Sequence, residues 1–256
     1  MRYALIVCED NQALGCEKGV GEKMIRRLRQ AGCHGDEWTA IHAITKQMPP
    51  LATLLTYDGI VVSGSRHSVN CNAEWVKNLE ASLRELIDYL MTNCQPEIKR
   101  RPKLFGICFG HQVIAKAMGG KVAQNPNGKF NWGSECVQLS QDLASMEFIT
   151  KVFPDRRDSF RIYKSHGEQV VQKPRHARLV GTSSSCVTEV LTYGVNVMTM
   201  QGHPESSLEK VKMFSVPNMR KKKFLSENEL NSAIQGLEHV DWKYMIQVML
   251  SFLRCS

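Results

Sequence analysis

A strand, a tight turn and a helix follow one another in residues 103–118, and this order constrains the fold more than any other feature. The run Lys103-Leu104-Phe105 leads into Gly106-Ile107-Cys108-Phe109-Gly110, and a helix pattern continues over residues 112–118. Glycines two residues either side of Cys108 let the backbone turn sharply and leave the side chain exposed at the edge of a sheet. The segment therefore predicts an α/β fold with a parallel sheet.

Strand and helix patterns alternate along the first half of the chain, as βα units require. Residues 3–8 and 59–63 are apolar runs typical of central parallel strands. A helical stripe ends near Gly32, and residues 73–90 carry apolar side chains at helical spacing. These patterns predict a doubly wound sheet.

The second half of the chain has a different pattern. Residues 121–201 contain short strand-like runs separated by turn signals, which predict a small antiparallel β layer. Residues 206–256 predict two or three helices, interrupted at Pro217-Asn218 and at the basic cluster Arg220-Lys221-Lys222-Lys223. We expect one domain over residues 1–256, with a catalytic core of about 3–205 and a C-terminal helical segment of 206–256.

Cys108 and Gly202-His203-Pro204-Glu205 together suggest nucleophilic chemistry. Each motif follows an apolar strand pattern, and a thiol at a helix N-terminus is favoured as the thiolate. His203 could act as general base, and Glu205 could orient the imidazole. The residues alone leave alternatives open, because Cys108 could be a small buried side chain and Glu205 could merely complement the dipole of a helix beginning near Ser206.

The two motifs, in this order, resemble those of the class I (triad-type) glutamine amidotransferase family. Within it, the chain is most similar to free-standing proteins like the amidotransferase domain of GMP synthase and to the γ-glutamyl peptidases. The resemblance extends over residues 3–205. It implies a flavodoxin-like doubly wound sheet with a small antiparallel β layer and C-terminal helices, and a Cys108/His203/Glu205 triad.

An oxyanion hole is expected beside Cys108, since attack on a carbonyl places negative charge on its oxygen. The Phe109 amide is one candidate donor, and the turn Ser63-Gly64-Ser65 supplies Gly64 and Ser65 as others. The family often carries Gly-Gly-Pro-Gly at this turn, whereas Ser63-Gly64-Ser65-Arg66-His67 resembles the version in γ-glutamyl peptidases. An ordinary turn at the end of a strand is the alternative.

The resemblance also implies a pocket for a glutamyl group. Gln112 matches a glutamine that holds the substrate side chain, and Ser165-His166 matches a segment that contacts the α-amino and α-carboxylate groups. A family stretch that lines the same pocket is similar to Phe130-Asn131-Trp132-Gly133, and Trp132 is the residue expected to contact the substrate. Each residue also has a structural alternative. Gln112 could simply favour the helix, His166 could be a hydrogen-bonded structural histidine, and Trp132 could belong to the core.

The expected reaction is cysteine-dependent hydrolysis of a γ-glutamyl amide through a γ-glutamyl thioester, releasing glutamate without a metal or cofactor. A stand-alone γ-glutamyl peptidase that acts on glutathione-like peptides is favoured, because the chain contains no synthetase motif. The alternatives are a glutaminase subunit that supplies ammonia to a separate synthetase and a non-catalytic regulatory binding module. The sequence leaves the physiological substrate and the oligomeric state open.

Composition sets the remaining expectations. Nine cysteines without CxxC spacing favour neither a zinc site nor a disulfide framework, and the absence of a leader or an apolar run of membrane-spanning length predicts a cytoplasmic protein. The net charge of +8 includes clusters at Lys99-Arg100-Arg101, Arg156-Arg157 and Arg220-Lys221-Lys222-Lys223. Since no aromatic side chains are interleaved with them, a solvated surface is favoured over a nucleic-acid site.

Overall fold

A computed structural model describes residues 1–10, 19–32, 34–92, 102–155 and 157–255. The basic cluster Lys99-Arg100-Arg101, together with Arg156 and the cysteines Cys16, Cys33 and Cys94, lies outside these residues. In the part that the structure describes, no helix combines the length and the apolar character needed to cross a membrane.

The first half of the chain alternates strands and helices, as the sequence predicts. Helix α3 buries six side chains at helical spacing on one face of the sheet. The elements in this half are β1 (Arg2–Val7), α1 (Val20–Ala31), β2 (Glu37–His42), α2 (Leu51–Leu54), β3 (Gly59–Val62), α3 (Glu74–Thr92), β4 (Lys103–Ile107) and α4 (Phe109–Ala117).

The second half is rich in strands, and only two short helices interrupt them. Its elements are β5 (Lys121–Gln124), β6 (Asn131–Leu139), α5 (Gln141–Ala144), α6 (Glu147–Val152), β7 (Ser159–His166), β8 (Glu168–Gln172), β9 (Arg178–Thr182), β10 (Val190–Tyr193) and β11 (Val197–Met200).

Nine strands form one sheet, in the order β2-β1-β3-β4-β11-β10-β9-β6-β7. The five strands from β2 to β11 pair in parallel, and the remaining four pair antiparallel with their neighbours. A separate small antiparallel sheet consists of β5 and β8. The predicted α/β fold with a small antiparallel layer is confirmed, and the other strand-like runs of residues 121–201 extend the main sheet.

Residues after 206 form α7 (Leu208–Lys210), a π-helical turn (Val211–Ser215), α8 (Val216–Lys222), α9 (Glu227–Gly236), a 3-10 turn (Leu237–His239) and α10 (Trp242–Arg254). The helical run from α7 through the π-helical turn to α8 continues past Pro217, where we expected an interruption. Pro217 lies in the first turn of α8, where a backbone N–H is not needed for the helical ladder. The basic cluster does end α8, since Lys223 adopts a left-handed conformation with φ 53°.

Apolar clusters cover both faces of the sheet. Helix α10 packs on one face, where the rings of Phe252 and Phe105 lie 6.0 Å apart, and α3 and α4 cover the other. A smaller cluster lies beneath the C-terminal helices and includes Trp132, Tyr163 and Leu237. Each large apolar side chain that is fully buried stabilises the fold by about 1.5–3 kcal/mol. The packing on both faces of the sheet therefore holds the ends of the parallel strands in fixed positions.

Candidate active site

Three neighbouring parallel strands end at one edge of the sheet and bring distant segments together. Gly64 follows β3, Cys108 follows β4, and His203 follows β11. A Cβ atom placed on Gly64 would lie 3.2 Å from Cε1 of His203 and 3.6 Å from Cβ of Cys108. Ligand sites in open α/β sheets form outside the carboxyl ends of the strands, and we refer to these three positions as the strand-end region.

Cys108 adopts a strained backbone conformation at the start of α4, with φ 50° and ψ −102°. Such a conformation costs a non-glycine residue of order 1–3 kcal/mol and is concentrated at functional sites. The flanking glycines make the turn possible: a side chain on Gly110 would overlap the Val62 carbonyl oxygen, and a Cβ on Gly106 would lie 2.8 Å from the Gly110 oxygen. The predicted tight turn is therefore present.

His203 is held from both sides. Its backbone N–H donates to the Tyr163 carbonyl at 2.9 Å, and its Nδ1 lies 2.9 Å from Oε1 of Glu205. Burial opposes a charge on the ring, but the Glu205 carboxylate and the neighbouring Cys108 sulfur raise the pKa of His203 well above its usual value. Burial also opposes ionisation of Glu205, yet His203 lowers the pKa of this carboxyl below its ordinary value. Both shifts favour an imidazolium next to a carboxylate.

The Gln201 side chain lies between the Cys108 thiol and the Gln112 side chain and contacts both. Its amide nitrogen lies 3.5 Å from Sγ of Cys108, and its Oε1 accepts from Nε2 of Gln112 at 3.2 Å. Gln112 Nε2 also donates to the Glu168 carbonyl at 2.7 Å. Gln201 is fully buried and directly follows β11. No sequence motif marked Gln201, although its position at the end of a predicted strand was a usable signal.

The Ser63-Gly64-Ser65 turn leaves backbone donors beside Cys108. Among the described residues, neither the Gly64 nor the Ser65 N–H donates to another group. The next N–H, that of Arg66, donates to Oε2 of Glu9 at 2.9 Å, and this bond fixes the loop. Within the described ranges, the turn therefore leaves two backbone N–H groups without an acceptor next to Cys108.

A cavity of about 340 Å³ opens from Cys108. Its lining includes Ser65, Gln112, Ser165 and His166, four residues that the sequence analysis assigned to substrate or oxyanion contacts. The other lining residues are Arg66, His67, Ser68, Phe130, Gly167, Glu168, Ser215, Asn218, Met219, Lys222 and Phe224. Volumes from roughly 300 Å³ are typical of pockets for small molecules.

His166 is neutral in this environment. Burial, together with the nearby Lys164 ammonium, lowers the pKa of His166 to about 3. Its Nδ1 lies 3.0 Å from the Glu168 carbonyl oxygen, which can only accept, so the proton is on Nδ1. Nε2 is consequently an acceptor, and it is buried without a partner among the described residues.

Comparison with known proteins identifies the family. The sequence profile described as "Glutamine amidotransferase class-I" matches residues 13–219. The chain belongs to the class I glutamine amidotransferase family.

Individual relatives agree with this assignment. Gamma-glutamyl peptidase 2 of Arabidopsis thaliana is 29% identical over 81% of this chain and 77% of its own length. The glutamine-hydrolyzing GMP synthase of Vibrio atlanticus is 25% identical over 74% of this chain and 32% of its own length. A glutamine amidotransferase from Thermotoga maritima has the same fold, with a TM-score of 0.67 at 19% identity over 98% of this chain and 96% of that one. The predicted resemblance is confirmed, and the matches support an amidotransferase-like hydrolase.

Trp132, which the resemblance places in the pocket, lies behind the cavity of this family member. Its indole packs at the edge of the Tyr163 ring, with centroids 5.9 Å apart, and its Nε1 donates to Oγ of Ser215 at 2.9 Å. The Tyr163 hydroxyl lies 2.7 Å from the same oxygen. Ser215, at the end of the π-helical turn, is the residue that reaches the cavity. Trp132 therefore supports the site through Ser215.

Residues of the C-terminal helices form one side of the cavity, which the sequence analysis did not foresee. We define the C-terminal wall as Ser215, Asn218, Met219, Lys222 and Phe224. A π-helical turn changes which side chains of a helix face inward, and such turns are frequent at functional sites. The wall comes from residues that show no amidotransferase motif, so no pattern pointed to it.

Two further polar groups support the strand-end region. Arg27 of α1 donates to the Ser206 carbonyl just beyond Glu205. Below Ser165 and His166, the Lys164 ammonium is 2% exposed and lies 2.7 Å from a carboxylate oxygen of both Glu135 and Glu189. Buried charges of this kind need partners of opposite charge, and the Lys164 ammonium has two carboxylates beside it.

The other cysteines contrast with Cys108. Among the described residues, six cysteines are free, and none forms a disulfide. Burial raises the pKa of the Cys8 and Cys186 thiols to about 12, so both remain protonated and unreactive at neutral pH. Cys108 is the cysteine that borders the cavity in the described part of the chain.

Proposed function

We propose that this protein hydrolyses a γ-glutamyl amide with Cys108 as nucleophile and works as a stand-alone γ-glutamyl peptidase on glutathione-like peptides. The observation that carries the proposal is the strained Cys108 at the buried end of a cavity, beside the His203–Glu205 pair. In this proposal residues 1–256 act as one domain, because α10 packs on the strands that position the site.

Acylation begins with the Cys108 thiolate, which the adjacent His203 imidazolium stabilises. The sulfur adds to the δ-carbonyl carbon, and the oxyanion accepts hydrogen bonds from the amides of Phe109 and of Gly64 or Ser65. His203 then donates a proton to the leaving nitrogen, the C–N bond breaks, and a γ-glutamyl thioester remains.

Deacylation uses the same groups in reverse roles. Neutral His203 removes a proton from water, and the hydroxide adds to the thioester carbonyl. Collapse of this intermediate breaks the C–S bond and restores the Cys108 thiolate and the His203 imidazolium. Glutamate leaves after its γ-carboxylic acid loses a proton to solvent. Glu205 stays ionised throughout and orients the ring.

The inner end of the cavity suits the amino-acid end of a glutamyl group. Gln112 and His166 are each 4% exposed, and the free acceptor Nε2 of His166 could receive a hydrogen bond from an α-ammonium group. Ser165 and Gly167 border the same end. A peptide leaving group is favoured over ammonia because the cavity continues past Cys108 to the C-terminal wall, and because relatives include γ-glutamyl peptidases.

Glutamate release by the purified protein tests the proposal, with glutamine, glutathione and other γ-glutamyl peptides supplied separately. Cys108→Ala serves as the blank, and Cys71→Ala is the matched control because Cys71 is also free and lies outside the cavity lining. We expect release from peptides that requires Cys108 but not Cys71. Release from glutamine alone would indicate an amidotransferase subunit with a synthetase partner, and no release would indicate a binding module.

A further inference from the structure

Part of the C-terminal wall lies beyond the family match. The profile ends at residue 219, whereas Lys222 and Phe224 line the cavity three and five positions later. The general chemistry of the family resides in the strand-end region. Residues beyond the match are therefore good candidates for what distinguishes one substrate from another.

Lys222 carries the unpaired positive charge of the cavity lining. Arg66 and His67 each face a carboxylate, those of Glu9 at 3.3 Å and Asp10 at 3.7 Å. His166 is neutral. Lys222 has no acidic partner among the described residues, so its ammonium is available to an anionic ligand.

Two stacked aromatic rings hold the Lys222 ammonium in position. Nζ of Lys222 lies 5.3 Å from the centre of the Phe224 ring, within the range of a cation–π contact. Phe224 in turn stacks on Phe130, the residue before β6, with ring centroids 4.8 Å apart. The left-handed conformation of Lys223 makes the turn that brings Phe224 back over Phe130. The rings form an apolar surface beside the Lys222 ammonium.

The cavity has a buried end and an exposed end. Cys108, Gln112 and His166 are each 4% exposed, whereas Lys222, Phe224 and Asn218 are exposed. If the glutamyl group occupies the buried end, as the proposed function requires, the group on the other side of the scissile amide extends toward Lys222.

We propose that Lys222 binds the free carboxylate of the leaving amino acid or peptide, while the Phe130–Phe224 pair contacts its side chain. The inference rests on the proposed function and narrows its substrate class to γ-glutamyl peptides that end in a free carboxylate. Glutamine, whose leaving group is ammonia, makes no use of this contact.

The test compares each γ-glutamyl peptide with the same peptide amidated at its C-terminus, through kcat/KM for glutamate release. For the wild-type protein we expect the free acid to be favoured about two- to fivefold, as suits an exposed ion pair. The preference should decrease as salt is raised, since ions screen an exposed pair.

Three variants decide the outcome. Lys222→Gln should bring the ratio of free acid to amide close to one, and Lys222→Glu should invert it. Lys221→Gln is the matched control, because Lys221 is exposed on the same helix but does not line the cavity, and it should keep the wild-type ratio. A ratio taken within one variant does not depend on the fraction of protein that folds.

Other results would overturn the inference. If Lys222→Gln slows the acid and the amide equally, Lys222 contacts the glutamyl group or only supports the helix. If the wild-type protein shows no preference, the carboxylate is not recognised, although hydrolysis that depends on Cys108 would leave the proposed function intact. Absence of such hydrolysis with every substrate would overturn both.

Discussion

The strand-end region and the C-terminal wall form two sides of one cavity, but they are built differently. Cys108 and Gln201 are almost completely buried, and a Cβ atom on Gly106 or Gly110 would overlap neighbouring backbone atoms. Lys222 and Phe224 are exposed and come from a helix end without buried polar partners. A rigid, desolvated region suits bond making, because misplacement of reacting groups by about 1 Å can cost 10²-fold in rate.

This difference suggests a division of labour. On this view, reaction chemistry depends on the buried strand-end region, and substrate choice depends on the more exposed C-terminal wall. Changes in the strand-end region should therefore reduce kcat for all substrates. Changes in the C-terminal wall should alter KM for some substrates and leave others unaffected.

The largest effect is expected for His203→Asn. Loss of the general acid and base should lower kcat by about 10²- to 10⁴-fold for peptides and for any other γ-glutamyl substrate. Steady-state glutamate release measures this, with His176→Asn as the control because His176 is exposed and lies outside the cavity lining. A rate for His203→Asn within a few fold of wild type would remove His203 from the reaction.

Gly64→Val should have the next largest effect. Its Cβ would lie 3.2 Å from His203, so the branched side chain would displace the imidazole or the oxyanion donors. We expect kcat to fall about 10- to 10³-fold, since loss of one oxyanion donor alone can cost 10²–10³. Gly236→Ala is the control, because its nearest neighbour would be Ser134 Oγ at 3.7 Å. Unchanged turnover by Gly64→Val would show that this turn does not approach the reacting carbonyl.

Ser215→Ala should have the smallest effect and should separate the two sides. It removes a hydrogen-bond acceptor for Trp132 Nε1 and a partner of the Tyr163 hydroxyl, which should lower the free energy of unfolding by about 1–3 kcal/mol. We expect KM for peptides to rise a few fold, with kcat nearly unchanged. Urea unfolding and steady-state kinetics measure the two quantities. A large decrease in kcat, instead of the nearly unchanged value, would mean that the C-terminal wall takes part in the chemistry.

Much of the strand-end region could be predicted because it follows from backbone geometry. A glycine on either side of Cys108 is required by the contacts of Gly106 and Gly110, and parallel strands necessarily end at one edge. The α/β fold is confirmed by the sheet order, and the family assignment by the match over residues 13–219. The roles of Cys108, His203 and Glu205 in catalysis stay predictions that the assays above address.

The C-terminal wall could not be predicted, since its placement depends on packing between distant segments. Nothing in the sequence around Ser215 indicates a π-helical turn or its contact with Trp132. Pro217 suggested a helix break, but its position in the first turn of α8 makes it compatible with the helix. Lys222 belongs to a basic cluster whose members look alike in sequence, and only the folded chain shows which of them faces the cavity.

The most direct test of the central claim is detection of the thioester. The protein is mixed with a γ-glutamyl peptide, quenched in acid during turnover, digested and analysed by mass spectrometry. The account predicts one γ-glutamyl group on the peptide that contains Cys108, and neither adduct nor glutamate release with Cys108→Ala. Glutamate release by Cys108→Ala at the wild-type rate, or an adduct on a different residue, would contradict it.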